Sequence, residues 1–421
     1  MYLKNWAQNV TFKGHVASPE DNDELSEVIL EADKIHAFGA RNSFNTINDS
    51  VSTHVDMIKF KSIVISNTPP MCPTVKVGAG VTLAELSIEL NLAGYALPNL
   101  PTLSHITVVG ACTTSSHGSG SCCLSTFVSG IDIVDYNGNI NSYDAIQNPD
   151  IFDGLIISFG SLGIVSSITL NIIPRYDMTQ TVYTGLNLLT YLNNFEKIMF
   201  KTAYSVSCFT DLDFDVKQVW VKDKIHDDCV DVPLTFFGAA KQLKQMHPSN
   251  MDPTECTTQM GIPGSWHRRL PLRGLHESSL WGASTELQSE FFVAADVATE
   301  AIQHLTTIRD EFKQALIHCE IRTVSLDTLW LSPACNRRSV TIHFSWINDI
   351  VQANKSIKIV TEALKTFEPR PHWGKLFTYT KRELESMYPK LERFNDIKNM
   401  LDPFDKFSNK FFDTYIAQEI N

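Results

Sequence analysis

The chain has 421 residues, of which 43% are hydrophobic and 19% charged, a composition typical of a folded protein with about two domains. Its 35 basic and 47 acidic residues give a net charge of −12, which argues against a nucleic acid or an anionic membrane as the main partner. The N-terminus lacks the apolar core of a signal peptide, no run of about 18 apolar residues occurs, and the nine cysteines form no C-x-x-C pair. We therefore expect a cytoplasmic protein that acts on small molecules, with no disulfide framework and no metal site.

The first predicted helix follows a sequence that favours helix initiation. Ser18 is expected as its N-cap and Pro19 as its first helical residue, and apolar residues then recur on one helix face. The next predicted strand, over residues 35–38, ends in the sequence GARNSFN at residues 39–45. This small, polar turn is the first of three glycine-bearing turns in this half of the chain.

A second helix is predicted after a short strand at residues 75–77. Thr82 and Glu85 have the spacing of a capping box, apolar residues follow at helical spacing, and Gly94 marks the helix end. Strands, helices and glycine turns alternate in this way throughout residues 1–175.

Residues 97–120, LPNLPTLSHITVVGACTTSSHGSG, have the most distinctive chemical character. Prolines stiffen the beginning, residues 106–109 are β-branched and apolar, and the end is rich in Gly, Ser and Thr. Small residues let backbone N–H groups approach a polar ligand such as a phosphate closely. A Ser/Thr-rich surface loop is the alternative, but the apolar run indicates a partly buried segment. Because neither a G-x-G-x-x-G fingerprint nor a P-loop occurs, a nucleotide would need a cradle other than a Rossmann crevice.

The third glycine-bearing turn has the sequence FGSLGIV at residues 159–165. It follows a predicted strand at residues 131–135 and precedes alternating apolar residues that predict another strand, ending at Pro174. We place a domain boundary there, at about residue 175. The three turns are expected to converge on one extended ligand.

The second half of the chain contains charged residues within apolar, strand-like runs. Glu320 and Arg322 are two residues apart, as are His343 and Ser345, so each pair should share one face of a strand. Lys375 lies in a similar apolar context. Two interpretations fit these residues: a buried Glu320–Arg322 ion pair beside a core histidine, or the polar wall of a pocket for a hydroxylated substrate.

Taken together, the motifs of the chain resemble those of the FAD-dependent sugar-alcohol and aldonolactone oxidases of the vanillyl-alcohol-oxidase flavoprotein superfamily. The similarity covers essentially the whole chain. Two motifs, CEIRT and PHWGK, resemble most narrowly the alditol-oxidase branch. The collinear motifs are SFN at 43–45, VGAGVTLAEL at 77–86, LPN at 97–99, SHITV at 104–108, HGSG at 117–120, SLGIV at 161–165, AYSVSCFTD at 203–211, ELQSE at 286–290, CEIRT at 319–323, PHWGK at 371–375 and LDPFDKFSN at 401–409.

The resemblance implies an α+β fold with three parts. These are a two-part FAD-binding domain over residues 1–175, a substrate domain with a large antiparallel sheet flanked by helices over residues 176–370, and a segment over residues 371–421 that returns to the FAD-binding domain. The three glycine-bearing turns would then hold FAD, with its pyrophosphate on backbone N–H groups. The implied cofactor-binding residues are Arg41, Asn42, Ser43, Phe44, Pro101, Thr102, His105, Gly110, Thr113, Ser116, His117, Gly118, Ser119, Gly163, Ile164, Val165, His372 and Asn409.

The same resemblance implies an active site on the polar wall of the second domain. Lys375 and Arg322 would stabilise alkoxide character at the reacting hydroxyl, and Glu320 would orient them. As a base Lys375 must be neutral, a state that burial beside Arg322 favours. The implied catalytic residues are Lys375, Arg322, Glu320 and His343, and the implied substrate-binding residues are Thr102, Gln288 and Ser345.

One position departs from the pattern of the family. Covalent members carry a histidine in a G-H-S-F-N turn that bonds the flavin, whereas this chain has Asn42 there. An amide nitrogen is not a comparable nucleophile, so we expect FAD to be bound non-covalently. Pro101 stands where the residue influences oxygen access in related enzymes, and proline there favours an oxidase.

These features predict FAD-dependent oxidation of a terminal hydroxyl of a polyol, such as xylitol or sorbitol, to the aldehyde. Hydride would pass to flavin N5 and O2 would be reduced to H2O2. The expected partners are the polyol and O2, and the expected state is a monomer. Two alternatives remain: a sugar-1,4-lactone oxidase or dehydrogenase with another electron acceptor, and an inactive, flavin-free binding protein. Glu320, Arg322 and Lys375 together argue against the second.

Overall fold

The computed structural model describes residues 3–69, 71–225, 232–249, 251–274, 284 and 286–418. Short strands and helices alternate in the first part of the chain, as the sequence predicts. They are β1 (Leu3–Lys4), β2 (Thr11–Phe12), β3 (His15–Ala17), α1 (Asn22–Glu31), β4 (Ile35–Phe38), β5 (Thr53–Asp56), β6 (Ile63–Ser66), β7 (Thr74–Gly78), α2 (Leu83–Leu92), β8 (Tyr95–Ala96), α3 (Val108–Thr113), β9 (Val128–Val134), β10 (Ile140–Asp144), α4 (Phe152–Leu155), β11 (Ile164–Asn171) and β12 (Ile173–Pro174).

Two sheets organise this part of the chain. One is parallel, with the strand order β3-β5-β4, and the other is antiparallel, with the order β10-β9-β11-β7-β6. Strand β4 leads directly into the turn at residues 39–45, and the turn at residues 159–163 leads into β11. The sheets therefore fix the positions of two of the three glycine-bearing turns.

Helix α2 begins as the sequence predicts. The Thr82 hydroxyl accepts a hydrogen bond from the backbone N–H of Glu85, whose carboxylate accepts one from the backbone N–H of Thr82. Leu83, Leu86 and Leu90 are fully buried on one face of the helix. This reciprocal cap satisfies two N–H groups that the first turn of a helix otherwise leaves without partners.

Helix α1 begins three residues later than the sequence predicts. The expected N-cap at Ser18 is wrong, because Asp21 is the N-cap and its carboxylate accepts from the backbone N–H groups of Asp23 and Glu24. A carboxylate at this position also interacts favourably with the positive end of the helix dipole. The segment that starts with Ser18 and Pro19 thus leads to the helix without belonging to it.

The second part of the chain has longer strands, covered by helices. No helix among the described residues combines the length and the apolar composition needed to cross a bilayer. The elements are β13 (Asp177–Asn187), α5 (Leu188–Asn193), α6 (Phe195–Lys201), β14 (Ser205–Thr210), β15 (Asp215–Lys224), β16 (Thr235–Phe236), β17 (Ala239–Lys241), β18 (Gly264–Ser265), β19 (Glu286–Ala294), α7 (Ala298–Thr307), β20 (Leu316–Val324), β21 (Ser339–Ile347), α8 (Ile350–Leu364), β22 (Arg370–Pro371), α9 (Lys381–Met387), α10 (Leu391–Leu401) and α11 (Lys410–Tyr415).

A ten-stranded antiparallel sheet dominates this part of the chain. Its strand order is β16-β17-β13-β15-β14-β20-β21-β19-β22, and β18 pairs with β13. Helices α5, α6, α7 and α8 contact the sheet. Ile342, Phe344 and Trp346 of β21 are fully buried in the main hydrophobic core. The predicted α+β class, with a large antiparallel sheet flanked by helices, is confirmed.

The alternate residues of the central strands are polar. In the pairing of β19 with β21 and of β21 with β20, His343 lies between Glu290 and Glu320. Ser345 lies in the same way between Gln288 and His318. Because side chains alternate between the two faces of a sheet, these two rows share one face. The predictions that Glu320 shares a face with Arg322, and His343 with Ser345, are confirmed by this register.

Candidate active site

One cleft separates the polar face of the large sheet from the glycine-bearing turns. The three turns predicted to converge all contribute to its wall, together with the beginning of α3. The predicted cofactor-binding residues that line it are Arg41, Asn42, Ser43, Phe44, Pro101, Thr102, Gly110, Thr113, Ser116, His117, Gly163, Val165 and His372.

Close packing of backbone holds these turns together. A Cβ atom on Gly39 would lie 2.0 Å from the hydroxyl oxygen of Thr107, the N-cap of α3, so only glycine fits there. Arg41 has a φ of 56° and Gly160 a φ of 80°, both in the left-handed region. The turns can therefore present backbone groups to a ligand without intervening side-chain bulk.

Four other predicted cofactor residues have different surroundings. Gly118 and Ser119 line a small separate pocket, with a volume of about 20 Å³, and Ile164 is fully buried in β11. The Asn409 side chain is the N-cap of α11, and its amide group donates to two backbone carbonyls, at 2.9 and 3.0 Å. Asn409 thus anchors the C-terminal helix to the segment of residues 47–49.

Asn42 faces a histidine across the cleft wall. Its amide nitrogen lies 2.9 Å from Nε2 of His105, another predicted cofactor residue. Burial and the charge of Arg273 lower the pKa of His105 to about 4, so its ring is neutral near pH 7. The position of the family's flavin-linking histidine is therefore occupied by an amide that bonds a neutral imidazole.

A buried carboxylate lies at the centre of the polar wall. Glu290 Oε2 accepts from Lys375 Nζ at 2.6 Å, and Glu290 Oε1 accepts from Arg322 Nη2 at 2.6 Å. Its side chain has 0% exposure. Glu320, which was expected to orient both cations, lies 3.6 Å from the Arg322 guanidinium, whereas Glu290, which was not expected, bonds both cations.

Histidines complete the surroundings of these charges. His117 Nε2 lies 3.3 Å from Glu290, and His343 Nδ1 accepts from Lys375 Nζ at 2.7 Å. The acceptor role of His343 follows from the lysine, because an ammonium group can only donate. Glu290 thus bonds both cations, while His343 accepts a second hydrogen bond from Lys375.

The charges perturb one another strongly. Burial would raise the pKa of Glu290, but Arg322, Lys375 and His117 outweigh that effect and hold it well below its usual range. Burial lowers the pKa of Lys375, and Arg322 adds to this while Glu290 opposes it. Burial and Lys375 lower the pKa of His343 to about 4. Glu290 is therefore an anion and His343 a neutral acceptor near pH 7.

The second polar row extends the wall away from Glu290. Ser345 Oγ lies 3.4 Å from His343 Nε2 and 3.3 Å from His318 Nε2, and Gln288 donates to the carboxylate of Glu286 at 2.7 Å. Sequence reasoning missed both Glu290 and His318. The period of two residues could have found them, since Glu290 follows Gln288 and His318 precedes Glu320 by two positions. Such a wall can bond several hydroxyl groups and stabilise negative charge on one oxygen.

Replacing Glu290→Gln should destabilise the protein by about 3–5 kcal/mol at pH 7, because two buried cations lose their anion. The folded pKa of Glu290 lies below the unfolded value of about 4.3, so its contribution is present above that pH and is lost as the pH falls through the folded pKa. Urea unfolding between pH 3 and 7 should show the gap between wild type and variant narrowing below about pH 4.

The matched control is Glu320→Gln, which removes a buried carboxylate that lies 3.6 Å from Arg322 and should cost less. A Glu290→Gln variant as stable as wild type at pH 7, or a gap that stays constant down to pH 3, would contradict the central role of this carboxylate.

Comparison with known proteins agrees with this geometry. The family model described as D-arabinono-1,4-lactone oxidase matches residues 285–415, which include the polar wall, and the one described as FAD binding domain matches residues 14–143. The alditol oxidase of Streptomyces sp. (strain IKD472 / FERM P-14339) is 35% identical over 419 residues and covers 97% of each chain. The L-gulonolactone oxidase of Mus musculus is 23% identical, over 98% of this chain and 97% of that protein.

Solved structures share the fold at low sequence identity. Cholesterol oxidase from B. sterolicum has a TM-score of 0.78 at 15% identity, covering 99% of this chain and 96% of its own. Glucooligosaccharide oxidase from Acremonium strictum has a TM-score of 0.74 at 14% identity, covering 99% and 94%. The resemblance inferred from the motifs is confirmed: the chain belongs to the alditol oxidase family of FAD-dependent oxidoreductases.

Proposed function

We propose that this protein oxidises a terminal hydroxyl of a polyol, such as xylitol or sorbitol, to the aldehyde and reduces O2 to H2O2. The observation that carries the proposal is the pair of cations, Lys375 and Arg322, held by Glu290 at the cleft. Two fixed positive charges stabilise an oxygen that loses its proton. The polar rows beside them suit a substrate with several hydroxyl groups and no charge.

FAD would lie along the cleft, held by the three glycine-bearing turns. The fit is supported by Gly39, Gly110 and Gly163, which line the cleft, and by the match of residues 14–143 to an FAD binding domain. When bound, FAD supplies the acceptor for the hydride that leaves the carbinol carbon. The proposed boundary at residue 175 is supported by the long strands, which begin with β13 at Asp177, while the proposed boundary at residue 370 falls within β22, which pairs with β19.

The residues of the wall would act on the substrate in two ways. Lys375 uses two N–H groups for Glu290 and His343 among the described residues, and the third can donate to the reacting oxygen. Arg322 would stabilise the same oxygen as its proton leaves. The other hydroxyls would be bound by Thr102, Gln288, Glu320, His343 and Ser345. A polyol that lacks a matching hydroxyl would leave a buried polar group unpaired and would be rejected.

A sugar-1,4-lactone is the second candidate substrate. The match of residues 285–415 to a D-arabinono-1,4-lactone oxidase family favours it, because this part carries Glu290, Arg322 and Lys375. The same cations would serve a ring hydroxyl. Comparing O2 with an artificial electron acceptor would also separate an oxidase from a dehydrogenase.

Anaerobic addition of xylitol or sorbitol to the purified holoenzyme should bleach the yellow absorption of the oxidised flavin. Admission of air should restore the colour and produce H2O2. If a sugar-1,4-lactone bleaches the flavin and polyols do not, the proposal of a polyol substrate is wrong and the lactone takes its place.

Acid precipitation should release the yellow colour into the supernatant, because Asn42 does not form a bond to the flavin. The measurement is the absorption spectrum of pellet and supernatant. An Asn42→His variant tests whether attachment geometry persists, through flavin fluorescence on the denatured protein band. Colour that stays in the wild-type pellet would contradict non-covalent binding and would direct attention to His105, the imidazole beside Asn42.

The Lys375→Met substitution should lower the turnover rate by a factor on the order of 100 or more, while the flavin spectrum shows that the cofactor is still bound. Lys355→Met, on the exposed side of α8, is the matched control and should turn over normally. Normal turnover of the Lys375→Met variant would remove this lysine from the mechanism.

A further inference from the structure

We propose that His343, Ser345, His318 and Ser249 form a proton relay that connects Lys375 to a second cavity, which adjoins the main cleft at His318 and Ser249. The inference rests on the proposed oxidation of a hydroxyl group, and it assigns roles to His318 and Ser249, which that reaction otherwise leaves unused. The relay would carry the hydroxyl proton of the substrate out of the site.

The relay is a continuous line of hydrogen-bonding contacts. Lys375 Nζ lies 2.7 Å from His343 Nδ1, and His343 Nε2 lies 3.4 Å from Ser345 Oγ. Ser345 Oγ lies 3.3 Å from His318 Nε2, and His318 Nδ1 lies 2.9 Å from Ser249 Oγ. Imidazole and hydroxyl groups alternate along it, and each can accept a proton at one atom and donate one at the same or another atom.

The lysine at its inner end sets the direction of the whole line. Because Lys375 only donates, His343 accepts at Nδ1 and carries its proton on Nε2, towards Ser345. Ser345 then donates to His318 Nε2, and His318 donates from Nδ1 to Ser249. All donors point outward, which is the arrangement that passes a proton from Lys375 to Ser249.

The strand register builds this line. His343 and Ser345 are two residues apart on β21 and share a face, and His318 of β20 pairs directly with Ser345. The register shifts between Leu316 and His318, an irregularity that reorients the strand at this point. The ring of His318 thereby bonds Ser345 on one side and Ser249 on the other.

The outer end of the relay reaches solvent. His318 and Ser249 line both the main cleft and a second cavity, whose wall also contains Asp211 and Lys217. The side chains of these two charged residues are 33% and 49% exposed. Ser249, itself half-buried, therefore lies where a proton can pass to bulk water.

The reaction requires such an exit. Conversion of R–CH2–OH to R–CHO removes a hydride from carbon and a proton from oxygen. The hydride would go to the cofactor. Lys375 gives one proton to His343, and its amine, which now has a free electron pair, rotates and takes the hydroxyl proton, while one proton leaves at Ser249. Reduction of O2 to H2O2 then consumes that hydride and one proton, so a proton returns along the reversed line and resets it.

The neighbouring charged groups do not replace the relay. Arg322, Lys375 and His117 keep Glu290 ionised, so it holds cations rather than protons. Burial lowers the pKa of His343 and of His318, so neither ring retains a proton that reaches it.

The test is anaerobic reduction of the holoenzyme in weak buffer, followed by stopped-flow absorption, with phenol red to report released protons. His318→Ala and Ser249→Ala should reduce the flavin about 10-fold to 100-fold more slowly than wild type, with an unchanged Kd for xylitol. Imidazole added to His318→Ala should restore the rate with saturation, since the second cavity admits it beside residue 318. His304→Ala, on the exposed surface of α7, is the matched control.

Two results would overturn the relay: a wild-type rate for His318→Ala in weak buffer, or a slow rate that imidazole leaves unchanged while the Kd for xylitol rises. The experiment is run in parallel with xylitol, sorbitol and a sugar-1,4-lactone. Whether a polyol reduces the flavin of the wild type tests the proposed substrate. The ratio of the variant's flavin-reduction rate to that of the wild type, measured with whichever compound reduces the wild type, tests the relay.

Discussion

The carboxylate of Glu290 is the interaction on which the rest of the site depends. Its oxygens lie 2.6 Å from Lys375 Nζ and 2.6 Å from Arg322 Nη2, and its side chain has 0% exposure. A buried charge without a partner costs several kcal/mol, so each of the three groups requires the other two. The segment after β22 is joined to β19 by two further backbone bonds, from His372 N to Glu290 O and from Leu376 N to Gln288 O. Charge and backbone pairing therefore fix the same segment twice.

The balance of charges also explains which ligand the wall suits. Within the buried cluster, two carboxylates, Glu290 and Glu320, match two cations, Lys375 and Arg322, so the cluster is neutral and suits a ligand without charge. An oxygen that becomes negative during a reaction meets cations that are already in place and need no reorganisation. Glu290 thus has two effects, because it stabilises the fold and it positions the groups that would stabilise the reacting oxygen.

The local part of this arrangement could be predicted from sequence. The period of two residues placed Glu320 with Arg322 and His343 with Ser345, and the register confirms both pairs. The capping box of α2 and the glycine-bearing turns could also be predicted from sequence, because each depends on residues that are close together in the chain. The predicted start of α1 was wrong, since Ser18 and Asp21 are both good N-caps and only the structure shows that Asp21 begins the helix. The period of two residues can place Glu290 on the same face as Gln288, but not its contact with both cations, because that contact depends on β19 pairing with β21 and on Lys375 lying over that strand. Lys375 was singled out by its apolar neighbours in the sequence, and its role at the site was implied by the family resemblance.

The geometry of a strand suits the transport of protons as well as the binding of hydroxyls. Side chains two residues apart lie on one face, separated by about 7 Å along the strand. The two nitrogens of an imidazole ring bond in different directions, so His343 contacts Lys375 at Nδ1 and Ser345 at Nε2. His318 on the paired strand repeats the arrangement between Ser345 and Ser249. Lys375 is an ammonium group that Glu290 holds in place, so it has no free electron pair. It must therefore pass on a proton before it takes another. A wall that binds and polarises a hydroxyl therefore also needs a route for its proton, and the polar rows of this sheet supply one.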